Sequence, residues 1–497
     1  MRLKRFSFLM VMLLLVSVMA QAQNVYPKRE FRGAWIQAVN GQFMGMSERE
    51  MKRYLVTMLD NLQKVNVNAV MFQVRVEGDA LYESRYEPWS RFLTGVQGKS
   101  PGWDPLAFMV SECHKRNMEL HAWINPYRAR TKGTKKVDPN HLSAKKPGDF
   151  IKYDDMLFFN PAQQSNRDHI CKIVRDILMR YDVDGLHIDD YFYPYPSAGK
   201  EFDDERWFKQ SRETDKGQWR RENVNMLISQ LHDAVRTVKP WVKFGVSPFG
   251  IYRNDGSWEF GSRTNGLQCY DDLYADVLYW IEKGWIDYCI PQVYWEIGHK
   301  AADYEELVQW WAKYAAGRSL YIGQYVQRTV KAKDSSSPTG NQQAEKYALQ
   351  RKQSNVQGSC FWDAASVAEN VGGYRDVLAN GIYRYPALMP LYGFIDDEAP
   401  AKVKGVRLIE DGEENVLVWL LNKKAYKDEM NAPHRFVVYC FEKGEKVKLD
   451  KPQNILTITS KTFFKLPKDM SGKYTFVVTV LDRMQNESKG VKCKVKL

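Results

Sequence analysis

The segment VDGLHIDDYFYPYP (183–196) places two carboxylates side by side where an apolar, β-branched run breaks into an aromatic, proline-punctuated loop. Alternate residues of a strand share a face, so His187 and Asp189 point the same way while Asp190 opens the loop. Breaking a glycosidic bond needs one carboxylate as nucleophile or base and one carboxylic acid to protonate the leaving oxygen. Asp189 is the nucleophile or base candidate. A neighbouring carboxylate raises one pKa of such a pair, which suits Asp190 either to act as the acid or to orient Asp189. A second acid candidate is Glu296, in PQVYWEIGH (291–299), just past another apolar run. One residue of register decides which way it faces, and the choice between Asp190 and Glu296 stays open at this level.

Other polar and aromatic residues stand at the ends of similar runs. Arg75 and Asp79 lie in QVRVEGDALY, Asn125 and Tyr127 (followed by Arg128) in WINPYR, and Gln292, Tyr294 and Trp295 end the run that begins at 285. With His187, Tyr191 and Trp362 they form the candidate substrate-binding set, as hydrogen-bond partners of sugar hydroxyls, as a cation for an acidic substituent, or as rings on which a pyranose face stacks. Trp35 and Tyr193 are further stacking candidates. The sequence contains no His-Glu-x-x-His and no Gly-x-Ser-x-Gly, and its eight His do not cluster, so neither a metal nor another cofactor is expected.

These residues need a scaffold that brings strand ends together. Short β-branched or aromatic runs recur at 31–37, 68–75, 119–125, 183–189, 243–249, 285–295, 319–326 and 358–364, separated by amphipathic segments. Eight such alternations are what a closed (β/α)₈ TIM barrel requires, and in that fold the active site lies at the C-terminal ends of the strands. A doubly wound open sheet explains the pattern less well, since no Gly-x-Gly-x-x-Gly follows the first run. After Pro386 the pattern changes to short alternating runs, VLVWLL, RFVVYCF, ILTITS and YTFVVTVLD, as in a small all-β sandwich of the immunoglobulin or fibronectin type III class. The expected organisation is a leader over 1–22, a barrel over 28–390 and a sandwich over 398–497. KAKDSSSPTGNQQ (331–343) reads as a mobile polar loop near the barrel mouth.

Residues 1–22 carry Arg2, Lys4 and Arg5, an apolar stretch, and Ala20 and Ala22 in an Ala-x-Ala-like arrangement, the pattern of a secretory signal peptide. The expectation is therefore an exported, periplasmic or extracellular protein without stable membrane insertion. Seven scattered Cys without a Cys-x-x-Cys spacing suggest buried thiols more than a metal or redox motif. The net charge of +12 is spread along the chain and is accompanied by no nucleic-acid-binding motif.

The order FRGAWI, QVR with GDALY, HAWINPYR, DGLHIDDYFYP, GVSPFGIYRN, DYCIPQVYW resembles the glycosyl hydrolase-like family 10 proteins over about residues 28 to 390. That resemblance implies an exported TIM-barrel glycan hydrolase acting on bacterial cell-wall or other polysaccharides, including peptidoglycan glycan strands stripped of their peptides. VDGLHID is more distantly similar to the fourth-strand motif of α-amylase-type barrels, in which an Asp at the position of Asp189 is the nucleophile. His187 stands where that larger group has Arg, which leaves a retaining mechanism open. The expected function is a glycoside hydrolase of an extracytoplasmic polysaccharide, the alternative being a non-catalytic carbohydrate-binding barrel.

Overall fold

The computed structural model describes residues 26–497 apart from 135, 316, 333–339, 413 and 422–427. The leader expected over 1–22 and the middle of the polar loop expected over 331–343 lie outside the described residues.

Eight strands form a closed parallel barrel: β1 (Phe31–Ile36), β2 (Ala69–Arg75), β3 (Glu119–Ile124), β4 (Gly185–Ile188), β5 (Lys243–Val246), β6 (Tyr288–Cys289), β7 (Ser319–Tyr325) and β8 (Val356–Trp362). β1 pairs with both β2 and β8, which closes the ring. The principal crossover helices are α1 (Glu48–Gln63), α2 (Pro105–Lys115), α3 (Gln164–Arg180), α4 (Lys216–Val238), α5 (Val277–Glu282), α6 (Tyr304–Tyr314), α7 (Gln343–Lys352) and α8 (Ala364–Ala368). Their starts follow local chemistry. Ser47 and Glu50 form a reciprocal capping box on α1, and Asp104, Asp215 and Asp303 accept the first free N–H groups of α2, α4 and α6. The fifth and sixth runs are shorter as strands than the sequence suggests because Pro248 and Pro291 offer no N–H to a ladder. Pairing resumes beyond them as single bridges between Phe249, Gln292 and Gly323. A small antiparallel sheet (Arg128–Arg130, Phe150–Tyr153, Met156–Phe159) is inserted between β3 and α3.

Alternation along the strands separates two cores. Inward residues such as Phe31, Trp35, Met71, Trp123, Tyr288, Tyr321 and Cys360 fill the barrel, and the larger cluster packs strands against helices. Glycine is required where large neighbours cross the lumen. A Cβ on Gly245 would sit 2.1 Å from the Tyr288 ring, and one on Gly185 2.3 Å from His121 Nδ1.

Beyond the barrel, β9 (Lys404–Asp411), β10 (Glu414–Leu420), β11 (Arg435–Glu442), β12 (Ile455–Thr459), β13 (Phe463–Lys465), β14 (Lys473–Leu481) and β15 (Val491–Lys496) form two antiparallel sheets, ordered β9-β10-β13 and β12-β11-β14-β15. Leu417 and Trp419 of the first sheet meet Phe436, Val438, Phe476 and Val478 of the second in one apolar core. β9 is largely exposed, β13 is only three residues long and β15 is half lysine, so the apolar runs alone did not reveal them.

This sandwich sits under the N-terminal ends of the barrel strands. Arg435 donates to the carbonyls of Asn117 (2.8 Å) and Met118 (3.2 Å), Lys243 Nζ to the carbonyl of Arg483 (3.1 Å), and Met484 enters the barrel core. All seven Cys are free thiols, five of them buried.

Candidate active site

At the opposite, C-terminal end of the strands lies a cleft of about 360 Å³, lined by Trp35, Trp123, Asp189, Asp190, Tyr191, Tyr195, Ser247, Phe249, Gln292, Tyr294, Trp295, Tyr325, Arg328 and Trp362. Its volume falls in the range of small-ligand sites. Most of its wall is aromatic. Trp362 lies roughly parallel to Tyr294, with ring centroids 6.4 Å apart, and meets Trp123 edge-on at 6.2 Å. Such walls offer flat apolar faces with a few polar groups between them, the arrangement expected for a sugar ring.

Asp189 follows directly on β4 and is buried. Its Oδ1 accepts Asn125 Nδ2–H at 3.0 Å and the backbone N–H of Tyr191 at 3.2 Å, and its Oδ2 accepts Trp123 Nε1–H at 3.1 Å. Asn125 is itself oriented, since its Oδ1 accepts the backbone N–H of Arg128 at 2.8 Å. Burial pushes the Asp189 carboxyl above the usual carboxylate range, while the Arg128 charge and these N–H donors pull it back.

Asp190 lines the same cleft but has a different surrounding. Its Oδ1 accepts Gln292 Nε2–H at 2.9 Å, and its Oδ2 is bonded to the Tyr195 hydroxyl. Burial, then the Asp189 charge, raise its carboxyl to about 6. Three N–H donors favour a charged Asp189, and Asp190 is the member of the pair that holds its proton up to about pH 6.

The other residues singled out by the sequence divide by position. Tyr191, Gln292, Tyr294, Trp295 and Trp362 line the cleft, and so does Trp35. Asn125 and His187 stand behind it: Asn125 on Asp189, and His187 below the floor, where it bonds Trp35 and Ser247. Four placements correct the expectation. Arg75 is fully buried in a two-pronged ion pair with Glu87 (2.6 and 2.8 Å) and also donates to the Pro126 carbonyl at 3.0 Å, so it braces the loop after β3. Burial opposes ionisation of Glu87, but Arg75 and His169 more than offset it and hold that carboxyl at about 2. Asp79 is fully buried as a loop clip, accepting the backbone N–H of Glu77 and Gln97 Nε2–H, each at 3.0 Å. Its carboxyl is raised to about 6 by burial and by Glu77, the same perturbation as Asp190 but away from the cleft. Tyr127 belongs to the strand–helix core, as does the stacking candidate Tyr193.

Glu296 is the fourth correction. It is buried and does not line the cleft; its Oε1 accepts Arg328 Nε–H at 2.6 Å, and Arg328 reaches the cleft wall. Beside it, Lys346 Nζ donates to the Trp295 carbonyl at 2.7 Å and to Thr329 Oγ1 at 3.2 Å, and burial pushes this lysine down to about 7. Glu296 therefore positions a cleft cation. Glu296→Gln is expected to raise KM several-fold and to leave kcat within about tenfold, whereas loss of a general acid costs about 10²–10⁴-fold in kcat. Steady-state kinetics would return Glu296 to the acid role if kcat fell by that larger factor.

Ser247, Phe249, Trp123, Tyr195, Tyr325 and Arg328 were not singled out as site residues. The first two end the fifth strand run and Tyr325 ends β7, so the strand-end rule that selected Asp189 reaches them as well. Among the described residues no group of three or more His, Cys, Asp or Glu could hold a metal ion.

The family model described as glycosyl hydrolase-like 10 matches residues 30–339. Glycosyl hydrolase YngK of Bacillus subtilis is 39% identical over 489 residues, covering 96% of this chain and 95% of that protein. Glycosyl hydrolase DigH of Escherichia coli K12 is 38% identical over 288 residues, or 55% of this chain and 66% of that protein. Among solved structures, the catalytic domain of beta-amylase from Paenibacillus polymyxa overlays with a TM-score of 0.48 at 11% identity, spanning 72% of this chain and 99% of that one.

Proposed function

Because the chain belongs to the glycosyl hydrolase-like 10 family, we propose that it hydrolyses a glycosidic bond of an extracytoplasmic polysaccharide, with Asp189 as nucleophile or base and Asp190 as general acid. The observation that carries this reading is the asymmetry of the pair: Asp189 faces three N–H donors, while Asp190 is raised to about 6 at the same cleft. Asp190 gives its proton to the departing glycosidic oxygen. The anionic Asp189 either attacks the sugar or takes a proton from the attacking water, and water supplies the hydroxyl of the new reducing end. Tyr191, Tyr294 and Trp362 flank the ring, and Arg328 faces an acidic substituent.

Peptidoglycan glycan strands stripped of peptide are the proposed substrate. The leader pattern at residues 1–22 supports a site of action outside the cytoplasm, and the aromatic-walled cleft supports a sugar chain as its occupant. The test is release of reducing ends from peptide-free strands, intact peptidoglycan and neutral glucans. Cleavage of the first alone supports the assignment. Binding of the strands without cleavage would replace it with a carbohydrate-binding barrel.

A further inference from the structure

Below the cleft, a file of buried polar side chains runs down the barrel lumen, and the hydrolytic scheme gives it no part. Trp35 Nε1 lies 3.1 Å from His187 Nε2, and an indole nitrogen only donates, so His187 Nε2 is an acceptor there. Ser247 Oγ lies 2.9 Å from the same nitrogen. Burial holds the His187 ring well below its usual pKa range, so it is neutral and its single proton sits on Nδ1. That proton faces the Tyr288 hydroxyl oxygen at 3.2 Å. The hydroxyl gives its own proton to His121 Nδ1 at 2.8 Å, and His121 Nε2–H faces Glu119 Oε2 at 3.1 Å. Glu119 Oε1 accepts from Lys243 Nζ at 2.8 Å and from Gln485 Nε2 of the sandwich at 3.0 Å.

Every member from His187 to Glu119 is fully buried and in direct hydrogen-bond contact with the next, so a reversed bond anywhere would leave two protons facing each other. With an obligate donor at the top and a carboxylate at the bottom, only one direction gives each proton an acceptor. Gly185 and Gly245 supply the room that the His121 and Tyr288 rings occupy.

We propose that His187 is a positioning residue: Glu119, acting through Tyr288 and His121, fixes its Nδ1–H tautomer, and that tautomer holds Trp35 and Ser247 on the cleft floor. The sandwich contributes through Gln485, which helps to hold Glu119. The effect on turnover rests on the hydrolytic reading above, whereas the tautomer itself does not.

The test is ring-nitrogen NMR of the full chain labelled with ¹⁵N-histidine, with the His187 signals identified by their loss in His187→Gln. Native protein should show His187 protonated on Nδ1 and bare on Nε2; a proton on Nε2 would overturn the proposal. In Glu119→Gln the new amide nitrogen, standing where Oε2 was, donates to His121 Nε2 and reverses the file, so that His187 Nε2–H meets the Trp35 N–H. The expected results are an inverted His187 pattern, a shifted Trp35 indole signal and about tenfold lower kcat on peptide-free strands. An unchanged pattern in a folded Glu119→Gln overturns the relay, since a merely structural role lowers Tm without moving it. If Lys243, left without its carboxylate, prevents that variant from folding, Tyr288→Phe serves instead: mixed His187 tautomers are expected, and a single unchanged one refutes the proposal. Native protein that cleaves no glycan yet shows the expected tautomer would sink the hydrolytic reading alone.

Discussion

Asp189→Asn is expected to reduce kcat/KM on peptide-free glycan strands by about 10³-fold or more, with glycan binding retained. The carboxylate faces three N–H donors, and an amide in its place neither attacks a sugar nor takes a proton from water. The aromatic wall that holds the ring does not depend on that charge, so isothermal titration should give a Kd within a few-fold of the native value. Unchanged turnover would remove Asp189 from the chemistry. Equal loss of binding and turnover would make it a binding group.

Asp190→Asn is expected to cost about 10²–10⁴-fold in kcat and to abolish a pH dependence that native protein should show. A general acid must carry its proton, so native activity should fall as pH rises through about 6, the value to which burial and Asp189 raise this carboxyl. Stability moves with the same proton. The folded state holds it more tightly than the unfolded chain, whose carboxyl titrates near 3.8, so folding is favoured below that value and the advantage is lost as pH rises through about 6. A shift of about two units corresponds to at most about 3 kcal/mol at neutral pH. The variant carries no such charge. Its Tm should therefore exceed the native Tm at pH 7, and the gap should close toward pH 4 in a calorimetric series. A lower Tm at pH 7 with an intact alkaline limb would show that Asp190 is structural.

Much of the site was legible because it follows from a local rule. Strand residues alternate with period two, and polar groups at the C-terminal ends of barrel strands converge, so Asp189, Gln292 and Trp362 could be placed without knowing the packing. The same rule reaches Ser247, Phe249 and Tyr325, each at a strand end. Arg75 and Glu296 were not separable this way. Whether a polar residue past a strand end faces the cleft or turns back depends on its partner, here Glu87 twelve residues on and Arg328 thirty-two residues on. Asp79 shows that a raised carboxyl alone does not mark a site, since burial raises it as it raises Asp190.

The amino-acid sequence by itself determined the eight-fold alternation, the barrel with its β-sandwich and the adjacent carboxylates at the end of β4, because each is written in periodicities of a few residues. Only the tertiary structure decided which carboxylate faces three N–H donors and which is raised to about 6, that the sandwich closes the barrel at the end away from the cleft, and that His187 lies beneath the floor as a support. Those outcomes depend on burial and on partners from 60 to several hundred residues away, and no local pattern in the chain records them.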